Sequence, residues 1–394
     1  MKLKLIILLF IFGVASCFAT SNARYKSWTR DISNTEISVL TCSPGDEIYS
    51  IFGHTAVRVC NTNIGLDAVV NYGLFDFNQD SFVYRFVKGE TDYMCGVDSY
   101  ASFLYSYAWR GSGVKATVLD LTDTEKERII RVLTNDLKPE NREYRYNFAY
   151  NNCATKIRDI VKFAYSDKCE SIIPSEYTYR NIIRKYAENY PWFMFSFDIC
   201  LGGKAYNTLM TPDEAQFLPE LLNDALNNCL IGRDGEEIRP NTKQEIILTP
   251  MESTVETTFF TPMVVSCIVL LLSLISLIFG SKCPIASKIY NGTLLSIYFI
   301  VGIVVAFLIF FSEHPFTSGN MNICIFNPLL IVPIIGLISA SKSVIFKITR
   351  VVLILMAAFF IIYCLVFWHF TNHAFIPLAI ALILELNKQI IKGA

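Results

Sequence analysis

Apolar and polar positions alternate in short runs through the first part of the chain, then give way to long apolar stretches. Ile37-Ser38-Val39-Leu40 and Thr55-Ala56-Val57-Arg58-Val59 repeat with the period of a strand, and Ser43-Pro44-Gly45-Asp46 between them is turn chemistry. A third strand is predicted at Ala68 to Tyr72, ending at Gly73. Residues 122–137 switch to helical spacing. Thr122-Asp123-Thr124-Glu125 suits a helix start, and Ile129, Ile130, Leu133 and Leu137 recur on one face. A tyrosine-rich extended run, Tyr144 to Tyr150, follows. A helix then begins at Asn151-Asn152, with Ile157, Ile160, Val161 and Ala164 marking its inner face. The expectation is an α+β domain: a small antiparallel sheet with helices on one side.

From residue 259 the pattern changes. Five apolar stretches, at 259–280, 289–311, 323–340, 344–368 and 374–391, approach the roughly 20 residues that cross a bilayer. A polytopic α-helical membrane domain over 259–394 is therefore expected behind a polar domain at 20–258. Lys282 and Lys288 flank the first connector, Lys342, Lys347 and Arg350 cluster around the third, and Lys388 and Lys392 lie in the tail; the second and fourth connectors hold no Lys or Arg. The positive-inside rule puts the basic connectors in the cytoplasm, so an odd number of spans leaves residues 20–258 outside. Met1 to Ala19 agrees with this topology: Lys2 and Lys4 precede the apolar Leu5 to Val14, as in a secretory signal or anchor. Val14-Ala15-Ser16-Cys17 also resembles a lipoprotein signal box, which would lipidate Cys17; ordinary cleavage nearby or an uncleaved helix fits as well.

Composition sharpens this division. The chain of 394 residues is 53% hydrophobic and 18% charged, against roughly 25% charged in soluble domains. Residues 259–394 hold seven basic and two acidic residues, leaving 27 basic and 33 acidic before them, a net −6. A simple soluble enzyme is excluded, and an acidic polar half without a Lys/Arg stripe argues against nucleic acid as a partner. The exported part carries Cys42, Cys60, Cys95, Cys153, Cys169, Cys200 and Cys229, an odd set that leaves at least one thiol without an intrachain bridge.

Cys153 is the sharpest candidate for chemistry. It falls in the first turn of a helix behind two Asn residues, where a thiolate is stabilised, although a small residue packing a helix start fits the same position. His54 is the sole histidine of residues 20–258 and sits between Gly53 and a strand. A cysteine nucleophile needs a base and later an acid, and imidazole titrates in the right range. A polar residue to orient that ring is expected at Asn71, with Asp76 as the alternative. No close-spaced His/Cys ligand set, phosphate-cradling glycine loop or GxSxG points to a cofactor, so none is expected. The connector 312–322 adds Glu313, His314, Asn320 and Asn322 on the outer side, as a plain polar loop or a platform for lipid headgroups or for the exported domain.

Together these pieces resemble the Lnb-type lipoprotein N-acyltransferases. The likeness is carried by Thr41 through Val59 around Gly53-His54-Thr55, by Asn71-Tyr72-Gly73-Leu74-Phe75-Asp76-Phe77, by Pro139-Glu140-Asn141-Arg142 and Tyr146-Asn147-Phe148, by Asn152-Cys153-Ala154-Thr155 with Arg158-Asp159, and by His314-Pro315, Asn320, Asn322 and Asn327-Pro328-Leu329. The resemblance implies an exported domain similar to permuted papain-like folds of the NlpC/P60 kind, in which the His strand precedes the Cys helix. It further implies Cys153, His54 and Asn71 as catalytic residues, and Tyr72, Asn152, His314, Asn320 and Asn322 as substrate-binding ones. The implied partners are a membrane phospholipid as acyl donor and a diacylated lipoprotein as acceptor, at a bacterial inner membrane. A membrane-anchored cysteine hydrolase and a non-catalytic module are the alternatives.

Overall fold

Central strands that are largely apolar on both faces, flanked by polar edge strands, build a seven-stranded antiparallel sheet in the order β6-β4-β3-β2-β1-β5-β9. The strands are β1 (Glu36–Cys42), β2 (His54–Asn61), β3 (Leu66–Leu74), β4 (Asp92–Ser99), β5 (Val114–Leu119), β6 (Glu143–Arg145) and β9 (Asn241–Leu248). A separate hairpin pairs β7 (Ile231–Arg233) with β8 (Glu236–Ile238). This computed structural model describes residues 28–45, 47, 50–76, 80–166, 177–233, 236–251, 259–339 and 343–392. The signal segment with Cys17, the turn residue Asp46, Phe77 and Cys169 lie outside the described residues.

Alternation along β1 to β3 decides which side chains meet which helix. Ile37, Val39, Val57, Val59, Val70 and Tyr72 face two helices, α3 (Asp123–Asp136) and α4 (Cys153–Ala164), through Ile129, Ile130, Leu133, Ile157 and Val161. The other face, with Leu40, Cys42, Ala56, Val69 and Val114, packs on α2 (Tyr100–Trp109) through Phe103 and Tyr107. Helices therefore cover both faces, where the sequence pattern suggested one. The reason is that both parities of these strands are apolar, so neither face tolerates water. Both α3 and α4 open with a capping box, Thr122 with Glu125 and Asn152 with Thr155, which satisfies N–H groups that a helix start leaves unpaired.

Contacts divide the chain into two units, and the division does not follow the hydropathy boundary. One comprises Met1–Phe82, Thr91–Ser175 and Thr211–Ser253, and the other Val83–Glu90, Glu176–Met210 and Thr254–Ala394. Two segments that read as exported, those around α1 (Phe82–Lys88) and around α5 (Tyr179–Tyr186) with α6 (Pro191–Cys200), thus group with the helical region.

Among the described residues of that region four stretches are long and apolar enough to cross a membrane: Pro262–Phe279, Pro284–Phe311, Met321–Ser339 and Val344–Val366. The fifth expected span forms a helix, Phe375–Lys392, that carries Glu385, Lys388 and Lys392. Its charges explain the difference. Glu385 and Lys388 are buried and 3.6 Å apart; Glu385 accepts from Asn291 at 2.7 Å, and Lys388 donates to Ser276 and Ser287. Buried ionised groups need such partners, and here the partners come from the first two spans.

Gly53, at the entrance to β2, has φ +74°, and a Cβ there would lie 2.5 Å from the Cys42 carbonyl oxygen. Gly53→Ala is expected to destabilise the fold by about 2 kcal/mol or more. Thermal unfolding of the detergent-solubilised chain checks this, and an unchanged midpoint contradicts it.

Candidate active site

His54 is the first residue of β2, and Asn71 lies on the neighbouring strand as the register partner of Ala56, two residues along from His54. That diagonal brings the His54 Nε2 to 2.5 Å from the Asn71 Oδ1. Because an amide oxygen only accepts, Nε2 carries the proton and Nδ1 is left for a second partner. Asp76, the alternative orienting residue, is exposed beyond the end of β3. Tertiary structure thus pairs Asn71 with the imidazole.

Cys153 comes from the far side of the sheet's end, on the first turn of α4. Register slips between Asn71 and Leu74, and Gly73 in that irregularity has φ +92° and no side chain. A Cβ on Gly73 would lie 3.8 Å from His54 Cε1 and 3.9 Å from Cys153 Cβ. The two reactive side chains therefore face one another across the notch that glycine leaves.

Each group stabilises the other's charge. Burial pushes the Cys153 thiol up, but the His54 charge, a hydrogen bond from His54 and the N–H groups of Thr55 and Ala154 outweigh it and hold the thiol below its ordinary pKa. Burial likewise opposes the imidazolium, while the Cys153 charge, the hydrogen bond to it and the Asn71 oxygen hold His54 above its ordinary value. Both shifts favour the thiolate–imidazolium form of the pair.

Sequence reasoning passed over the wall of this site. Tyr93 and Tyr146 stack at 4.0 Å between centroids, and Lys156 lies over the Tyr144 ring at 4.7 Å. Burial first keeps the Tyr144 and Tyr146 hydroxyls protonated, reinforced at Tyr144 by the negative charge of Cys153 and at Tyr146 by Tyr93 and then Cys153. The extended run 144–150 was visible as tyrosine-rich, but nothing local ties it to Cys153.

The other expected site residues are occupied with structural tasks. Tyr72 is buried, and its hydroxyl donates to Asp136 at 2.8 Å, which places it behind the site rather than on its surface. Asn152 caps α4 through its Oδ1, while its amide donates to the Phe148 and Phe217 carbonyls at 2.7 and 2.9 Å. His314, Asn320 and Asn322 belong to the helical unit. His314 Nε2 lies 2.5 Å from the Phe86 carbonyl oxygen. Asn320 donates to the Ile199 and Cys200 carbonyls, and Asn322 to Asp198 and Ile199. These two amides close the unpaired carbonyls at the C-terminus of α6.

Alkylation of Cys153 by iodoacetamide, followed by peptide mass spectrometry, is expected to be half-maximal below the ordinary thiol range of ~8.5. His54→Ala removes the favourable charge and leaves the burial, so the midpoint moves upward, past that range. An identical profile in wild type and His54→Ala would show that the couple is not formed.

Residues 24–185 match the Lnb N-terminal periplasmic domain, and residues 254–392 match the Lnb transmembrane domain. Neither a curated protein nor a solved structure matches the chain. The first match contains His54, Asn71 and Cys153 and the second contains the apolar helices, so the chain belongs to the Lnb family and is a multi-pass membrane protein with a periplasmic domain.

Proposed function

We propose that this protein is a lipoprotein N-acyltransferase of the bacterial inner membrane. It moves an acyl chain from a phospholipid, through a thioester on Cys153, to the α-amino group of a lipoprotein's diacylated N-terminal cysteine. The observation that carries this reading is the Cys153–His54 couple across Gly73, in a chain whose other part is built of membrane-length apolar helices. Both proposed substrates are anchored in a bilayer, which gives several spans a purpose that a simple tether does not require. The chain order of a His-bearing strand before a Cys-bearing helix supports kinship with permuted papain-like enzymes.

The reaction balances with these residues alone. The Cys153 sulfur attacks the ester carbonyl, and the bond from carbonyl carbon to glycerol oxygen breaks. The proton on His54 passes to that oxygen, releasing a lysophospholipid and leaving the thioester. N–H groups at the start of α4 are donors suited to the developing oxyanion. The lipoprotein amine then attacks the thioester, the carbon–sulfur bond breaks, and the amine's proton goes to His54. This restores the thiolate–imidazolium pair. Asn71 keeps the imidazole in the orientation both proton transfers need, and the tyrosine wall limits water that would hydrolyse the thioester.

Mass spectrometry of lipoprotein N-termini tests the proposal. Cells with the wild-type chain should yield N-acylated cysteine, and cells with Cys153→Ala or His54→Ala a free amine. Asn71→Ala is expected to lower the acylation rate by about tenfold or more. A fully acylated N-terminus with Cys153→Ala rejects the thioester route. Lysophospholipid and free fatty acid without N-acylation would identify a hydrolase.

A further inference from the structure

The turn that closes α2 stands at the same end of the sheet as the reactive couple. Cys42, the last residue of β1, is the register partner of His54 on one side and of Val114 on the other. His54 and Val114 are thus two strand spacings apart, about 10 Å. The turn from Arg110 to Gly113 leads directly into Val114. It is fastened there by Ser43, whose N–H donates to the Gly113 carbonyl and whose hydroxyl accepts from the Gly113 N–H. Arg110 lies over the Tyr107 ring at 4.8 Å and makes no ion pair or side-chain hydrogen bond among the described residues. Its charge is felt by His54.

The outer face of α2 is apolar and open. Only Phe103 and Tyr107 of its residues are buried, whereas Tyr105 is 70% and Trp109 79% exposed, four positions apart and so on one side of the helix. Met251, itself 74% exposed, borders Gly111: a Cβ there would lie 3.1 Å from its sulfur. Leu248, which ends β9, is the partner of Val114. The chain therefore departs for its first membrane-length helix, at Pro262, from the end of the sheet that holds His54. The connector from Leu248 to Pro262 spans at most roughly 50 Å when fully extended.

We propose that Tyr105, Trp109 and Arg110 form a contact with the outer phospholipid surface beside the reactive couple, the two rings at the headgroup level and Arg110 on a lipid phosphate. Tyr and Trp favour that level because one edge of each ring is polar and the body is not. A guanidinium without a carboxylate partner suits a phosphodiester through paired hydrogen bonds. The tether and the positive charge both select a phospholipid surface as the occupant. The phosphate role rests on the acyl-transfer reading, since it assigns Arg110 to the donor molecule. Its phosphate would be held while the ester lies near Cys153.

Two measurements on the full chain in phospholipid vesicles test this. The first is tryptophan quenching by lipids brominated near the headgroup end or the methyl end of the acyl chain, with Trp109→Phe subtracted to isolate Trp109. The Trp109 emission should be quenched about twofold more by the shallow label. Equal emission with and without bromine overturns the contact. The second is single-turnover acylation of Cys153 from phosphatidylglycerol and from diacylglycerol with the same chains. The preference for the phosphate-bearing donor should fall about tenfold in Arg110→Gln and be largely kept in Arg110→Lys. An unchanged preference overturns the phosphate role. If wild-type Cys153 takes an acyl group from neither donor, the acyl-transfer reading fails along with the phosphate role, and Trp109 quenching alone decides the membrane contact.

Discussion

Mutual stabilisation of two charges that burial opposes is what this site depends on. Neither the Cys153 thiolate nor the His54 imidazolium is favoured by its surroundings alone, because desolvation penalises each. Facing one another they offset that cost, and backbone N–H groups at Thr55 and Ala154 on one side and the Asn71 oxygen on the other complete the arrangement. The two shifts move the proton from the thiol toward the imidazole, which favours a nucleophile beside a proton donor.

Geometry for this pair is bought by the scaffold at a few positions. Gly73 leaves the notch in which the side chains meet, and Gly53 lets β2 begin close under the end of β1. Asn152 holds the start of α4 with hydrogen bonds to three different parts of the backbone. Tyr72 ties β3 to α3 through Asp136, so the strand bearing Asn71 is braced from behind. These residues sit in or beside the motifs that carry the family resemblance, and their contacts are those of positioning groups.

The helical unit follows the same economy with its polar residues. Asn320 and Asn322 cap the end of α6, while Glu385, Lys388, Asn291, Ser276 and Ser287 form one buried cluster among three helices. Polar side chains in an apolar setting are tolerated where they satisfy one another or an open backbone carbonyl. The aromatic and basic residues at the end of α2 are different in kind: Tyr105 and Trp109 are exposed, and Arg110 has a ring contact with Tyr107 but no ion pair among the described residues.

Local pattern was enough to read much of this protein. Alternation marked β1, β2 and β3, helical spacing marked α3 and α4, and the long apolar runs marked the spans, because each signal arises within a few turns or strand residues. The helix start before Cys153, the lone exported histidine and Asn71 were legible for the same reason. What the sequence could not contain were relations between distant segments. The strands β4, β5, β6 and β9, the grouping of residues 83–90 and 176–210 with the membrane helices, and the neighbourhood of Arg110 to His54 all depend on pairing across the sheet or between elements. A charge such as Lys388 reads as a tail residue until its buried partners, a hundred positions away, are brought to it. Periodicity reports how a segment folds upon itself; only packing determines which segments meet.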